Sequence, residues 1–103
     1  MWRLDHTWSR MRDLAPHLTE PPSDVIRRHF HFTTQPLDVP DKPKFLGQIF
    51  DQLDMDDRIM FASDWPHWDY DDPTRVVTVS QVGQERHDKI MAANAERLFR
   101  FAS

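Results

Sequence analysis

The sequence IMFASDWPHWDYDD, residues 59–72, joins a short apolar run to a polar stretch that is rich in aromatic and acidic residues. A short, continuous apolar run predicts a β-strand that is buried on both faces, as in parallel sheets. Ser63 and Asp64 end the run, and functional side chains of parallel α/β proteins lie at the carboxyl ends of strands. Asp64 is therefore the first candidate for a functional residue.

Helix and strand patterns alternate on both sides of this stretch. In chain order the sequence first predicts a helix over 5–15, a short helix with Ser23 as its N-cap, and a strand within FHFTTQP (30–36). A helix capped by Asp41, with Pro43 in its first turn, and the strand at 59–63 follow. The last element is helical sequence over 84–101 that Asn94 interrupts. Residues 75–82 fit either strand or helix. Alternating strands and helices predict parallel βα units. Two strands are too few for a self-sufficient sheet, so we expect a portion of an α/β barrel or sheet.

The strongest helical pattern follows Pro43. Its apolar residues fall at three- and four-residue spacing, and we expect all of them to face the core: Phe45, Leu46, Ile49, Phe50 and Leu53.

Composition excludes several classes of function. The formal net charge of -4 and the scattered basic residues argue against nucleic-acid binding. No apolar run approaches the ~20 residues of a membrane span, and no signal peptide is evident, so we expect a cytoplasmic protein. With no cysteine and two glycines, thiolate sites and glycine-rich phosphate loops are excluded.

Several side chains around Asp64 have two interpretations. Asp64 either ligates a metal and activates water, which we favour, or caps the following turn. His67 either contacts substrate or orients Asp64, or it is a loop histidine packed between Trp65 and Trp68. Pro66 keeps Trp65 out of the helical region, so the chain leaves the strand extended. Gln35, at the far end of the other strand, is a candidate for a substrate contact.

The remaining acids and histidines are given structural roles. We interpret Asp69, Asp71 and Asp72 as solvated loop and cap acids, because a calcium loop would need a glycine that is absent. His29 and His31 open the first predicted strand, whereas barrel ligands lie at strand ends, so we interpret both as structural.

The segments FASDWPHWDYDDP, NAERLFRF, WRLDHTW and PPSDVIRRHFHFTTQP together resemble the C-terminal part of the amidohydrolase-related family, similar to aminocarboxymuconate-semialdehyde decarboxylase. The resemblance covers essentially the whole chain. It implies a (β/α)8 barrel with a single divalent metal, often zinc, and a small-molecule substrate. Asp64 would match the metal-site carboxylate that activates water, and Asn94 would match the asparagine of the closing helices. His67, Trp65 and Gln35 would then contact substrate.

The resemblance also implies what the chain would lack. A whole barrel needs about 250 residues, and the family's histidine ligands would precede Met1. We therefore expect 1–103 to be one partial domain, from a truncated gene product, a wrongly assigned start or a split enzyme. The chain alone would be inactive and would hold no metal tightly.

Two functions remain open from the sequence. In the first, the chain is part of a metal-dependent hydrolase or decarboxylase that supplies Asp64. In the second, it is a non-catalytic remnant that associates with itself or with a complementary barrel segment.

Overall fold

The computed structural model describes residues 1–101, so the last two positions of the predicted domain 1–103 lie outside the described residues. The described chain forms two compact units, Met1–Phe30 and a second that begins at His31. The elements are α1 (Trp2–Arg10), a 3₁₀ turn (Arg12–Leu14), α2 (Pro22–His29), β1 (Phe32–Thr33), α3 (Pro43–Leu53), β2 (Ile59–Met60), α4 (Val79–Val82), α5 (Gln84–Asp88), a π-helical turn (Lys89–Ala93) and α6 (Asn94–Phe99). No described helix is both long and apolar enough to cross a membrane.

The first unit is a pair of helices joined by a partly buried polar contact. Asp5 accepts hydrogen bonds from the Ser23 amide (2.9 Å) and hydroxyl (2.6 Å), and these bonds hold the pKa of Asp5 below its ordinary value. Ser23 lies inside α2, and the N-cap is Pro21, so the predicted Ser23 cap was wrong. The first-turn amide of Ser23 has no partner within its own helix, and the Asp5 side chain supplies one.

The predicted helix over 5–15 was also wrong in its bounds. α1 begins at Trp2, and the chain leaves helical geometry at Met11 before a short 3₁₀ turn.

The second unit contains a parallel pair of strands, as the alternating pattern predicted. Phe32 pairs with Ile59 and Thr33 with Met60. Both residues of β2 are buried. Each strand has only two residues, so the predicted strands over 30–36 and 59–63 were too long.

The helix α3 packs one narrow face against α4. Leu46 and Phe50 are buried, as predicted, but Phe45 is 39% exposed and Ile49 is 44% exposed, so the expectation of a fully buried stripe was wrong. The stripe is wider than the surface that the neighbouring elements cover. The N-cap is Lys42 rather than Asp41, while Pro43 opens the helix as predicted.

Residues 75–82 resolve as turns followed by the short helix α4. Thr78 and Gln81 form a capping box, in which the Gln81 side-chain oxygen accepts a hydrogen bond from the Thr78 amide (2.8 Å). Satisfying that amide stabilises a helix start over a strand.

Gly47 allows α3 to approach α4 closely. A Cβ atom at Gly47 would lie 2.7 Å from the carbonyl oxygen of Gln81. We predict that Gly47→Ala destabilises the chain by about 1–2 kcal/mol, because the overpacking cost exceeds the gain in helix propensity. Urea unfolding measures the change, and Gln48→Ala, at an exposed position on the same helix, is the control. A variant Gly47→Ala as stable as the unmodified chain would contradict the close packing of these helices.

Candidate functional site

The segment after β2, residues 61–72, forms a closed loop that we name the Asp64 loop. Asp64 lies four residues beyond the end of β2 and has a left-handed backbone (φ 58°). Aspartate tolerates this conformation better than most residues. The loop closes on itself because the His67 amide donates to the Asp64 carbonyl (2.8 Å) and the Asp71 amide donates to the Ser63 carbonyl (2.8 Å).

Three potential metal donors meet on this loop. The nearest ligand atoms of Asp64, His67 and Asp69 all lie within 4.8 Å of one another. His67 Nδ1 is hydrogen-bonded to the Asp69 carboxylate and lies 3.9 Å from Asp64 Oδ2. The hydrogen bond to Asp69 raises the pKa of His67. Desolvation opposes this shift, and the charges of Asp69 and Asp64 add to it. The loop therefore combines a carboxylate with an imidazole that holds its proton more firmly than usual.

These donors fit one part of a metal site, because the Asp69 carboxylate and His67 Nδ1 are bonded to each other, which leaves the Asp64 carboxylate and His67 Nε2 as ligand atoms. The Asp64 side chain is 58% exposed, and it accepts no hydrogen bond from the described part of the chain. His67 Nδ1, by contrast, is already bonded to Asp69. A catalytic zinc takes about three protein ligands plus water. The residues therefore fit two ligands at most, the Asp64 carboxylate and His67 Nε2, and do not fit a complete zinc site on this loop.

Aromatic side chains flank the cluster. Trp65 is 71% exposed and meets Tyr70 edge-to-face, with ring centroids 5.1 Å apart. His67 packs against Trp68 at 5.8 Å. The alternative that placed His67 between the two tryptophans was therefore right for Trp68 only, because Trp65 turns to Tyr70. The peptide bond between Trp65 and Pro66 is cis.

Gln35 reaches the Asp64 loop from the end of β1. Its amide nitrogen donates to the carbonyl oxygen of Asp69 (3.1 Å). Sequence reasoning brought Gln35 and Asp64 to the same end of the sheet, and the contact agrees with that placement. A direct substrate contact by Gln35 stays a prediction.

The three acidic residues Asp69, Asp71 and Asp72 differ in their surroundings, although the sequence suggested the same solvated role for all of them. Asp72 forms the expected turn, in which it accepts from the Thr74 amide and hydroxyl. Asp69, however, is the partner of His67, and one carboxylate oxygen of Asp71 is buried without a hydrogen-bond donor in the described structure. The interpretation of Asp69 and Asp71 as solvated loop acids was therefore wrong. The His67-x-Asp69 spacing was the one sequence signal that pointed to the first contact.

The two early histidines do not join the cluster. His29 is the last residue of α2 and lies beside the Arg28 side chain (3.3 Å), while His31 precedes β1 and contacts Arg58 (3.3 Å). The expectation that both open the strand was wrong. Among residues 1–101, the metal-donor cluster contains neither of them.

Comparison with known families identifies one match. A family model described as amidohydrolase matches residues 1–101. No curated protein matches the chain significantly.

We predict that the isolated chain binds Zn²⁺ with a dissociation constant weaker than about 1 μM, since the cluster offers two ligand atoms at most and a catalytic zinc takes about three. Isothermal titration calorimetry measures this affinity. Asp64→Asn should remove the residual binding, while His29→Ala and His31→Ala, outside the cluster, serve as controls that change nothing. Tight stoichiometric binding that is lost in either histidine variant would show that His29 and His31 form the site instead.

Proposed function

The chain belongs to the amidohydrolase family, and from this membership we propose that Asp64 is a metal ligand and water-activating base of a hydrolase or decarboxylase. Members of the family generally bind divalent metals, and we propose zinc here. In this proposal the chain is the closing part of a (β/α)8 barrel. Other residues complete the metal site, and the substrate is a small molecule.

The proposal depends chiefly on the position and state of Asp64. It follows β2, the second strand of a parallel pair, and parallel α/β folds carry their functional side chains after such strands. Its carboxylate is exposed and accepts no hydrogen bond from residues 1–101. A carboxylate that only capped its own turn would accept a nearby backbone amide, as Asp72 does from Thr74.

Three residues of the loop, Asp64, His67 and Trp65, have chemical tasks in the proposed reaction. When bound, a divalent metal supplies Lewis-acid activation of water and of the substrate. Asp64 accepts the proton that the attacking water loses. His67, whose pKa is raised by its hydrogen bond to Asp69, donates a hydrogen bond to a polar or anionic group of the substrate. The exposed ring of Trp65 offers an apolar surface to the substrate. These tasks serve hydrolysis. Decarboxylation releases CO2 and protonates the carbon left behind, and in that reaction Asp64 would donate to this carbon the proton that it had accepted.

We predict that Asp64→Asn lowers turnover by ~100-fold or more in a full-length or reconstituted barrel that contains these residues, because an amide cannot accept the proton. The fold should be kept, since asparagine also tolerates a left-handed backbone. Asp54→Asn is the matched control, because Asp54 is exposed and has φ 52°.

The measurement is turnover together with far-UV circular dichroism of each variant. Near-normal turnover in Asp64→Asn, or an equal loss in Asp54→Asn, would contradict the role of Asp64. The isolated chain should show no hydrolase or decarboxylase activity at all.

A second candidate function is non-catalytic association, with another copy of the chain or with a complementary barrel segment. Among the described residues sixteen large hydrophobic side chains are exposed, whereas seven hydrophobic residues form the buried core. Exposed apolar surface of this extent is typical of interaction surfaces. A sheet of two strands also has little edge protection.

We predict that the chain sediments as a dimer or larger species at micromolar concentration, since association would cover this surface. Thr33→Lys places a charge at an exposed position of β1 and should shift the chain towards monomer. Thr19→Lys, at an exposed position of the first unit, is the control. A sharp monomer with cooperative unfolding would contradict association.

A further inference from the structure

Two side chains at the end of β1 attach the Asp64 loop to the sheet. Thr34 is buried, and its hydroxyl oxygen accepts a hydrogen bond from the Ala62 amide (3.3 Å). The next residue, Gln35, donates its side-chain amide to the Asp69 carbonyl (3.1 Å). One contact precedes Asp64 along the chain and the other follows it.

Between Ala62 and Asp71, the remaining hydrogen bonds of the loop give it shape but not a fixed direction. The bonds from the His67 amide to Asp64 and from the Asp71 amide to Ser63 both join residues of the loop itself. They would persist if the loop turned as a body about the end of β2. Contacts from outside the loop are needed to fix where the Asp64 carboxylate lies relative to the sheet, and Thr34 and Gln35 make two such contacts.

We propose that Thr34 and Gln35 are positioning residues that hold the Asp64 loop in a fixed orientation over the end of β1. Their relevance to catalysis rests on the proposed function of Asp64, but the attachment itself does not. Gln35 acts through Asp69, whose carboxylate holds His67, so the same contact also fixes the imidazole. A site that must place reacting groups to within about half an ångström needs such support from rigid elements.

Isosteric substitutions separate the hydrogen bonds from the shapes of these side chains. Gln35→Glu keeps the size but replaces the donor by an acceptor that faces the Asp69 carbonyl. Thr34→Val keeps the branched shape and removes the acceptor for the Ala62 amide. The matched controls are Gln48→Glu, at an exposed position on α3, and Thr19→Val, at an exposed position of the first unit.

Nuclear magnetic resonance of the full chain provides two readouts that need neither metal nor substrate. The first is hydrogen exchange of the His67 and Asp71 amides, which close the loop. The second is the set of tryptophan indole signals, because Trp65 and Trp68 lie on the loop whereas Trp2 and Trp8 lie in the first unit.

We expect Gln35→Glu and Thr34→Val each to speed exchange of the loop amides at least ~10-fold and to shift the Trp65 and Trp68 signals. The Trp2 and Trp8 signals and the α3 amides should stay unchanged, as should all signals in the two controls. A uniform increase in exchange throughout the second unit would reveal a merely structural role and overturn the proposal. Unchanged loop exchange in both variants would overturn it as well.

Failure of the positioning proposal and failure of the proposed function give different combinations of results. Faster loop exchange together with normal turnover of Asp64→Asn would keep the positioning role and refute the role of Asp64. Unchanged loop exchange together with a large loss of turnover in Asp64→Asn would do the reverse.

Discussion

The buried side chain of Asn94 is the contact on which the second unit depends most. Its amide nitrogen donates to the carbonyl oxygens of Asp56 (2.7 Å) and Ile59 (2.8 Å), and its oxygen accepts from Arg97 (3.2 Å). Both donor hydrogens are therefore used, and the amide is 1% exposed. An apolar residue here would leave two carbonyls unsatisfied, at a cost of about 1–3 kcal/mol for each that stays buried. This side chain, together with Arg97, which donates to the Asp57 carbonyl (2.7 Å), attaches α6 to the acidic turn and the start of β2.

The π-helical turn before Asn94 extends the same attachment along β2. Hydrogen bonds in a π turn span five residues, which leaves a carbonyl without its usual helical partner. The Ile90 carbonyl accepts instead from the amide of Phe61 (2.8 Å), the residue that follows β2. Helix and strand thus share a backbone hydrogen bond at the point where the chain enters the Asp64 loop. Although β2 has only two residues, the backbone amide that follows it is still hydrogen-bonded, to the Ile90 carbonyl of the π-helical turn.

These contacts explain which features could be predicted from sequence. The order of strands and helices and the parallel pairing followed from local periodicity, as did the burial of Leu46 and Phe50. The exposure of Phe45 and Ile49 depends on how much of α3 its neighbours cover, which no local pattern records. Asn94 was expected to interrupt the helix, but the chain stays helical through it. Its partners lie 35 and 38 residues away, beyond the reach of sequence spacing.

The candidate site likewise contains one residue that local sequence pattern pointed to and one contact that it could not show. Asp64 could be identified because the end of an apolar run marks the end of a strand, whereas the pairing of His67 with Asp69 depends on the loop conformation. Asp54 and Asp64 both have left-handed backbones and stand on either side of β2, so each ends one segment and redirects the chain. Asp54 ends α3, while Asp64 has an exposed carboxylate at the mouth of the sheet. Asparagine would serve the backbone equally well at both positions. The negative charge is therefore dispensable for the turn at Asp64, and the proposed metal chemistry gives a reason for its presence there.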